Sequence, residues 1–171
     1  MLSRAFRLLA LIAAAGLSGA GGGPARAQDD ELEAMAAALK DTTFTLQDGL
    51  KAGEREGQPI SAQFEIDDGK LQISIYTTKG DDFSEVVADP KTGAIVKTEK
   101  VTDTDELNDA ADQKTAMAKA KTSLAAADAA VKENSGFRAV SIFPDLQDGH
   151  AIAEVTLLQG TTAKKVTEKL D

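Results

Sequence analysis

Pro59-Ile60-Ser61-Ala62-Gln63-Phe64-Glu65-Ile66-Asp67-Asp68-Gly69-Lys70-Leu71-Gln72-Ile73-Ser74-Ile75-Tyr76-Thr77 is the stretch that decides the fold. Ile60, Ala62, Phe64 and Ile66 alternate with Ser61, Gln63, Glu65 and Asp67, a period of two residues that fits a strand with one buried face. Asp68-Gly69 supplies the pair tolerant of positive φ that a tight hairpin demands. Leu71, Ile73 and Ile75 then alternate with Gln72, Ser74 and Tyr76, so the returning strand offers its apolar side to the same layer.

Working outward, a turn at Lys79 to Asp82 leads into residues 83–88. Asp89-Pro90-Lys91-Thr92-Gly93 makes a further turn before residues 94–101. Four antiparallel strands in succession form a meander whose apolar face a helix must cover. Upstream, Leu32, Met35, Ala36 and Leu39 recur at helical spacing, behind Asp29, Asp30 and Glu31 at the end the helix dipole favours for acids. Thr42 and Thr43 are placed to cap a following turn, and Leu46 and Leu50 give a second short stripe that stops around Gly53 to Gly57.

Downstream, Thr102 to Asp109 is polar and acidic. Met117, Ala120, Leu124, Ala127 and Val131 then fall on one stripe of what reads as a single long alanine-rich helix, ended by Asn134-Ser135-Gly136. The apolar run 137–146, Asp148-Gly149, a strand over 151–158, Gln159-Gly160 and residues 163–170 follow. At an offset of eighty positions Ile60 falls on Val140, Ser61 on Ser141, Asp68-Gly69 on Asp148-Gly149, Ile75 on Val155 and Gly80 on Gly160. With Gly57 and Gly136 each read as ending a helix, this points to a tandem duplication. The expected class is α+β: two units, each a helix on an antiparallel meander. The expected boundaries are 1–27 signal peptide, 28–42 N-terminal helix, 43–101 first unit, 102–113 acidic linker and helix start, and 114–171 a shorter second unit.

The helix ending in glycine, the strand Pro59 to Ile66, the Asp-Gly turn, the strand Leu71 to Thr77 and the run Phe83 to Gly93 together resemble the PepSY domain. In that family a short helix packs on an antiparallel sheet, and an Asp-x-x-Thr-Gly turn joins the last two strands. Asp89, Thr92 and Gly93 fill those positions here. The resemblance covers residues 43–100 well and 114–170 less closely, since the second copy reaches Asp171 before any such turn. It implies a domain that binds or restrains a partner in the exported space, a peptidase among the candidates. Asp89, Thr92 and Gly93 also have a structural reading, in which side-chain oxygens accept backbone N–H bonds and Gly takes the positive φ.

Arg4 and Arg7 precede an apolar stretch from Leu8 to Leu17 that is too short for a stable span, and Ala25-Arg26-Ala27 offers the small residues a signal peptidase accepts. The expectation is a cleavable secretory signal ending at Ala27 and a periplasmic or secreted protein. With no cysteine in the chain, lipid acylation, disulfides and thiolate chemistry are absent together. Cleavage removes three arginines and no acid, so the formal charge of −9 becomes −12. That charge repels phosphate backbones and anionic headgroups, making nucleic acid and membranes poor partners. At 4% aromatic content and no Trp, the core is aliphatic.

Candidates for chemistry are few. His150, the one histidine, follows Asp148-Gly149 where the first unit has Lys70, which reads as a solvated strand end. A lone His without a nucleophile elbow is weak ground for a triad, and one His without Cys builds no ordinary zinc or copper site. Asp67-Asp68, Asp81-Asp82 and Asp103, Asp105, Glu106 and Asp109 supply hard oxygens for Ca²⁺, but Asn108 stands where a calcium loop needs Gly and Lys114 where it needs Glu. No catalytic, cofactor or metal residues are therefore expected. Asp68, Gly69, Asp148 and Gly149 are read as hairpin turns. Two functions stay open: a non-enzymatic module engaging another exported protein through a sheet face or edge, and a small-ligand or divalent-cation binder using a groove between the units or the acidic turns.

Overall fold

A computed structural model describes residues 24–171. The stretch read as a signal peptide lies outside them except for Pro24–Ala27, which form the first turn of helix α1 (Pro24–Leu39). Helix α2 (Leu46–Gly53) follows, then strands β1 (Gln58–Asp67), β2 (Lys70–Lys79), β3 (Asp82–Ala88) and β4 (Ile95–Lys100). Helices α3 (Thr104–Lys119) and α4 (Ala126–Glu133) separate these from β5 (Arg138–Gln147), β6 (His150–Gln159) and β7 (Thr162–Lys169). The class is α+β, and the seven strands form one antiparallel sheet in the order β4-β3-β2-β1-β5-β6-β7. The alternation of Ala62, Phe64, Ile73 and Ile75 lays those side chains, all fully buried, on one face.

The two meanders join side by side through β1 and β5, and the junction is short: Ala62 pairs with Ile142 and Gln63 with Ser141. A bulge bounds each end, at Ile60 between Pro59 and Ser61 and at Val140 between Ala139 and Ser141. Pro144, beyond the junction, brings no N–H to either neighbouring strand. The bulge corrects the simple alternation expected of β1. It inserts an extra residue, so Ile60 leaves the face of Ala62 and Phe64 and joins Tyr76, Phe83, Val101 and Ala110 in a cluster on the other side. Asp68 and Asp148 both take positive φ, 46° and 52°, at the first position of the two Asp-Gly hairpins.

Helices cover both faces. On one, α1, α2 and α4 press Met35, Leu39, Leu46, Leu50 and Ala130 onto Phe64, Ile73, Ile142 and Val155 in one cluster that spans both halves of the sheet. Thr42 caps the turn that follows it, accepting the Phe44 N–H at 3.0 Å, and Thr45 caps α2: its side chain accepts the Asp48 N–H while Asp48 accepts from the Thr45 backbone, a reciprocal box. Gly57 lies beyond the end of α2, and a Cβ there would sit 2.9 Å from the Thr78 carbonyl, so it allows close packing at the start of β1.

The single long helix expected over Met117 to Val131 is instead two helices. Between them Lys121 and Thr122 donate backbone N–H bonds to the Leu170 carbonyl, at 2.6 and 2.9 Å. Those donors are lost to helix propagation, and the chain passes the end of β7 from one face of the sheet to the other. α3 thus lies on the Tyr76 face, opposite α4. Among the described residues, no helix is long and apolar enough to cross a membrane.

Candidate functional site

The α3 face is polar by sequence. Ser61, Gln63, Glu65, Ser74, Ser141 and Thr156 point to it and are buried. α3 starts cleanly because Asp103 accepts the Asp105 and Glu106 backbone N–H groups at 3.0 and 3.3 Å. Its inward residues are Glu106, Ala110, Gln113 and Ala116, a helical spacing that buries two polar side chains. Lys114 pins the helix to the β2–β3 turn through the Gly80 carbonyl at 2.7 Å and Asp81 at 3.0 Å, with its ammonium 5.8 Å from the Phe83 ring centre.

Between α3 and the sheet, where β1 and β5 stop pairing, lies a cavity of about 290 Å³. α3 contributes Asp109, Asp112 and Gln113; β1 contributes Gln63. Phe143, Pro144 and Asp145 come from β5, Glu154 and Thr156 from β6, and Lys165 from β7. One cross-strand row, Gln63, Ser141, Thr156 and Lys165, runs beneath it. Lys165 pairs with Glu154 at 3.2 Å. Burial, then Asp112 and Asp105, push the Asp109 carboxyl above its usual range. Gln113 is 6% exposed, and its Oε1 has no hydrogen-bond donor.

Toward β3 the same face buries acids. Glu65 accepts from Gln72 Nε2 and Ser74 Oγ, both at 2.6 Å. Burial raises the Glu85 carboxyl, with Glu65 and Glu106 adding to the shift. Burial chiefly, then Glu85, Glu106 and Glu65, hold the Tyr76 phenol far above the range in which it ionises. The acids gathered here make this part of the face unfavourable to anions.

The turn carrying Asp89, Thr92 and Gly93 lies elsewhere, against the α1–α2 linker. Asp89 accepts the Lys91 N–H at 2.8 Å and the Thr92 hydroxyl at 3.1 Å, and its carboxyl is lowered by the Lys91 bond first. Gly93 takes φ +70° with Phe44 directly beneath, and Thr42 donates its hydroxyl to the Pro90 carbonyl at 2.5 Å. A shallow depression of about 690 Å³ opens here, lined by Lys40, Asp48, Lys91 and their neighbours. Asp68-Gly69 and Asp148-Gly149 sit at exposed hairpin tips. His150 is 72% exposed and hydrogen-bonds Asp171. Asp82 pairs with Lys100 and Asp81 with Lys114. Among the described residues, no three His, Cys, Asp or Glu side chains come together to hold a metal ion.

No family model matches the sequence, and no curated protein matches it. Among solved structures the chain is similar to an inferred lipoprotein of Clostridium difficile 630. Identity is 18%, 71% of this chain and 80% of that chain are covered, and the TM-score is 0.40. The PepSY resemblance therefore rests on the residues that carry it.

Sequence reasoning passed over Gln113, Gln63 and Arg138. Polar residues at core spacing on α3 were a usable signal for the first. An arginine at the head of the apolar run 137–146 was one for the last. Arg138 reaches from β5 across the other face of the sheet, donating to the carbonyls of Leu39 and Thr42, both at 2.9 Å, and to that of Phe44. Its guanidinium stacks 5.3 Å from the Phe64 ring centre.

Proposed function

We propose that this chain is an exported, non-enzymatic binding module that engages another protein outside the cytoplasm through the polar face of its sheet beside α3. Its two halves are read as copies of one PepSY-like unit joined along β1 and β5. A secreted or periplasmic peptidase is the partner class the resemblance implies, and inhibition or regulation the corresponding role. The observation that carries the reading is the concave, carboxylate- and amide-lined cavity at that junction. The equivalent bulges at Ile60 and Val140 and the matching Asp68 and Asp148 turns, each pair eighty residues apart, support the duplication. The test is a photoreactive amino acid placed at Asp145, on the cavity rim, or at Glu56, an exposed turn residue after α2. Irradiation of the exported chain in its native compartment is expected to give one discrete adduct from position 145 and none from 56. Repeated absence of adducts, or equal adducts from both positions, overturns the reading.

A further inference from the structure

The cavity under α3 carries a more specific chemistry than polar recognition alone. Four carboxylates line it, Asp109, Asp112, Asp145 and Glu154, against one cation, Lys165, which Glu154 already engages at 3.2 Å. Asp109 and Asp112 have no cationic partner among the described residues. Gln113 supplies the independent observation. It is 94% buried and lines the cavity, and its Oε1 is an acceptor without a donor. A buried carbonyl oxygen left so costs roughly 1–3 kcal/mol, which an N–H or O–H group reaching it from the cavity would offset. Phe143 adds an aromatic surface on which a hydrocarbon stem can lie.

We propose that this cavity binds an organic cation, an ammonium or guanidinium carried on a short aliphatic stem, with Asp109 and Asp112 holding the charge, Gln113 Oε1 accepting one N–H, and Phe143 flanking the stem. An alkyl cation fits because it brings donors, positive charge and apolar surface together. A bare metal ion would need several oxygens converging on one point, which the described residues do not provide. The same group can arrive as a lysine or arginine side chain of a bound partner or as a free diamine. The proposal rests on the cavity being the recognition site, yet its readout is separate from partner capture. An adduct at Asp145 without amine binding removes the cation chemistry alone, and amine binding without an adduct removes the partner reading alone.

The experiment is an amide-detected NMR titration of the exported chain with three probes: N-acetyl-lysine methylamide, 1,4-diaminobutane and the uncharged N-acetyl-norleucine methylamide. Saturable shifts at the Gln113 side-chain amide and at Asp109 and Phe143 are expected with the two amines, at a Kd on the order of 1 mM. They should weaken several-fold between about 20 and 300 mM salt, since Asp109 and Asp112 are exposed. The norleucine probe should give none. Tighter binding of the lysine probe assigns the ligand to a partner side chain; tighter binding of the diamine assigns it to a free amine. Asp109→Asn with Asp112→Asn should lose about tenfold in affinity, about 1.4 kcal/mol. Gln113→Leu should lose amine binding while its Tm holds or rises, because an apolar side chain of similar shape removes an unmet acceptor. Absence of saturable shifts up to about 20 mM amine, or equal shifts with the norleucine probe, overturns the proposal.

Discussion

Arg138 ties the sheet's second half to the linker that orients both N-terminal helices, and removing it should cost more than removing any other single charge among the described residues. Its guanidinium donates to three backbone carbonyls, of Leu39, Thr42 and Phe44, and stacks on Phe64. Hydrogen bonds from a charged donor contribute about 1.5–3 kcal/mol each when buried. Here the site is half-buried, water can partly re-satisfy the carbonyls, and the desolvation that lowers the Arg138 pKa opposes the gain. Stacking adds about 0.5–1 kcal/mol. Arg138→Met, which keeps the stem, should therefore lose about 2–4 kcal/mol, or about 6–12 °C in Tm by the usual scaling for a domain of this size. Arg138→Lys keeps the charge but loses the planar fork, and should fall between the two. Calorimetry gives the Tm, and hydrogen exchange should show residues 40–45 opening faster in Arg138→Met. A Tm within about 2 °C of the parent would refute the reasoning, since it would mean the three bonds contribute no more than an exposed ion pair.

Two further outcomes test the packing and the electrostatics. On α2, a Cβ at Gly53 would meet Ile75 Cγ2 at 2.7 Å and Cβ at 3.3 Å, atoms fixed close to the β2 backbone, whereas one at Gly49 meets chiefly the free end of Ile73. Gly53→Ala should lose about 1–2 kcal/mol to overpacking, while Gly49→Ala, offset by helix propensity of up to about 1 kcal/mol, loses less; the reverse order in urea melts would contradict the packing. Burial raises the Glu85 carboxyl above its unfolded value of 4.5, so its protonated form contributes stability that is full below that pH and is lost as pH rises through the folded value. Glu85→Gln should accordingly be more stable than the parent at pH 7.5, with the gap closing by pH 4, and a less stable variant at pH 7.5 would sink the assignment.

The strands were legible because alternation and Asp-Gly turns are local signals. The side chains of Ile73 and Ile75, and the positive φ of Asp68 and Asp148, follow from residues within ten positions of each other. What was not legible depends on distant partners. Ile60 is apolar and suits either face, so nothing beside it announces the bulge that carries it to Tyr76 and Phe83. The stripe from Met117 to Val131 is helical in period, but the Leu170 carbonyl, some fifty residues on, captures the two backbone donors that break it. The cavity escaped because its inward helix face carries Glu106 and Gln113, and a hydropathy pattern takes such residues for solvent-facing ones. The turn at Asp89, quoted for its family resemblance, was legible because the bonds that Asp89 and Thr92 make close within five residues; its tie to Thr42 through the Pro90 carbonyl was not.

The placement of charge bears on where the proposed partner would dock. β4 and β7 are the outer strands of the sheet. β4 carries Lys97 and Lys100 and β7 carries Lys164, Lys165 and Lys169, in a chain of formal charge −9. Lysines along edge strands discourage pairing with another chain's strand, and Val96, 63% exposed, stands directly beside Lys97 on β4. The face under α1, α2 and α4 is apolar and already covered. That leaves the α3 face, where the sheet pairs least at β1 and β5, buried acids accumulate, and one amide oxygen stays without a donor. On the proposed reading, a partner offering a positive group would meet an attractive field there and guarded edges on either side, which favours docking at the α3 cavity over pairing along a strand.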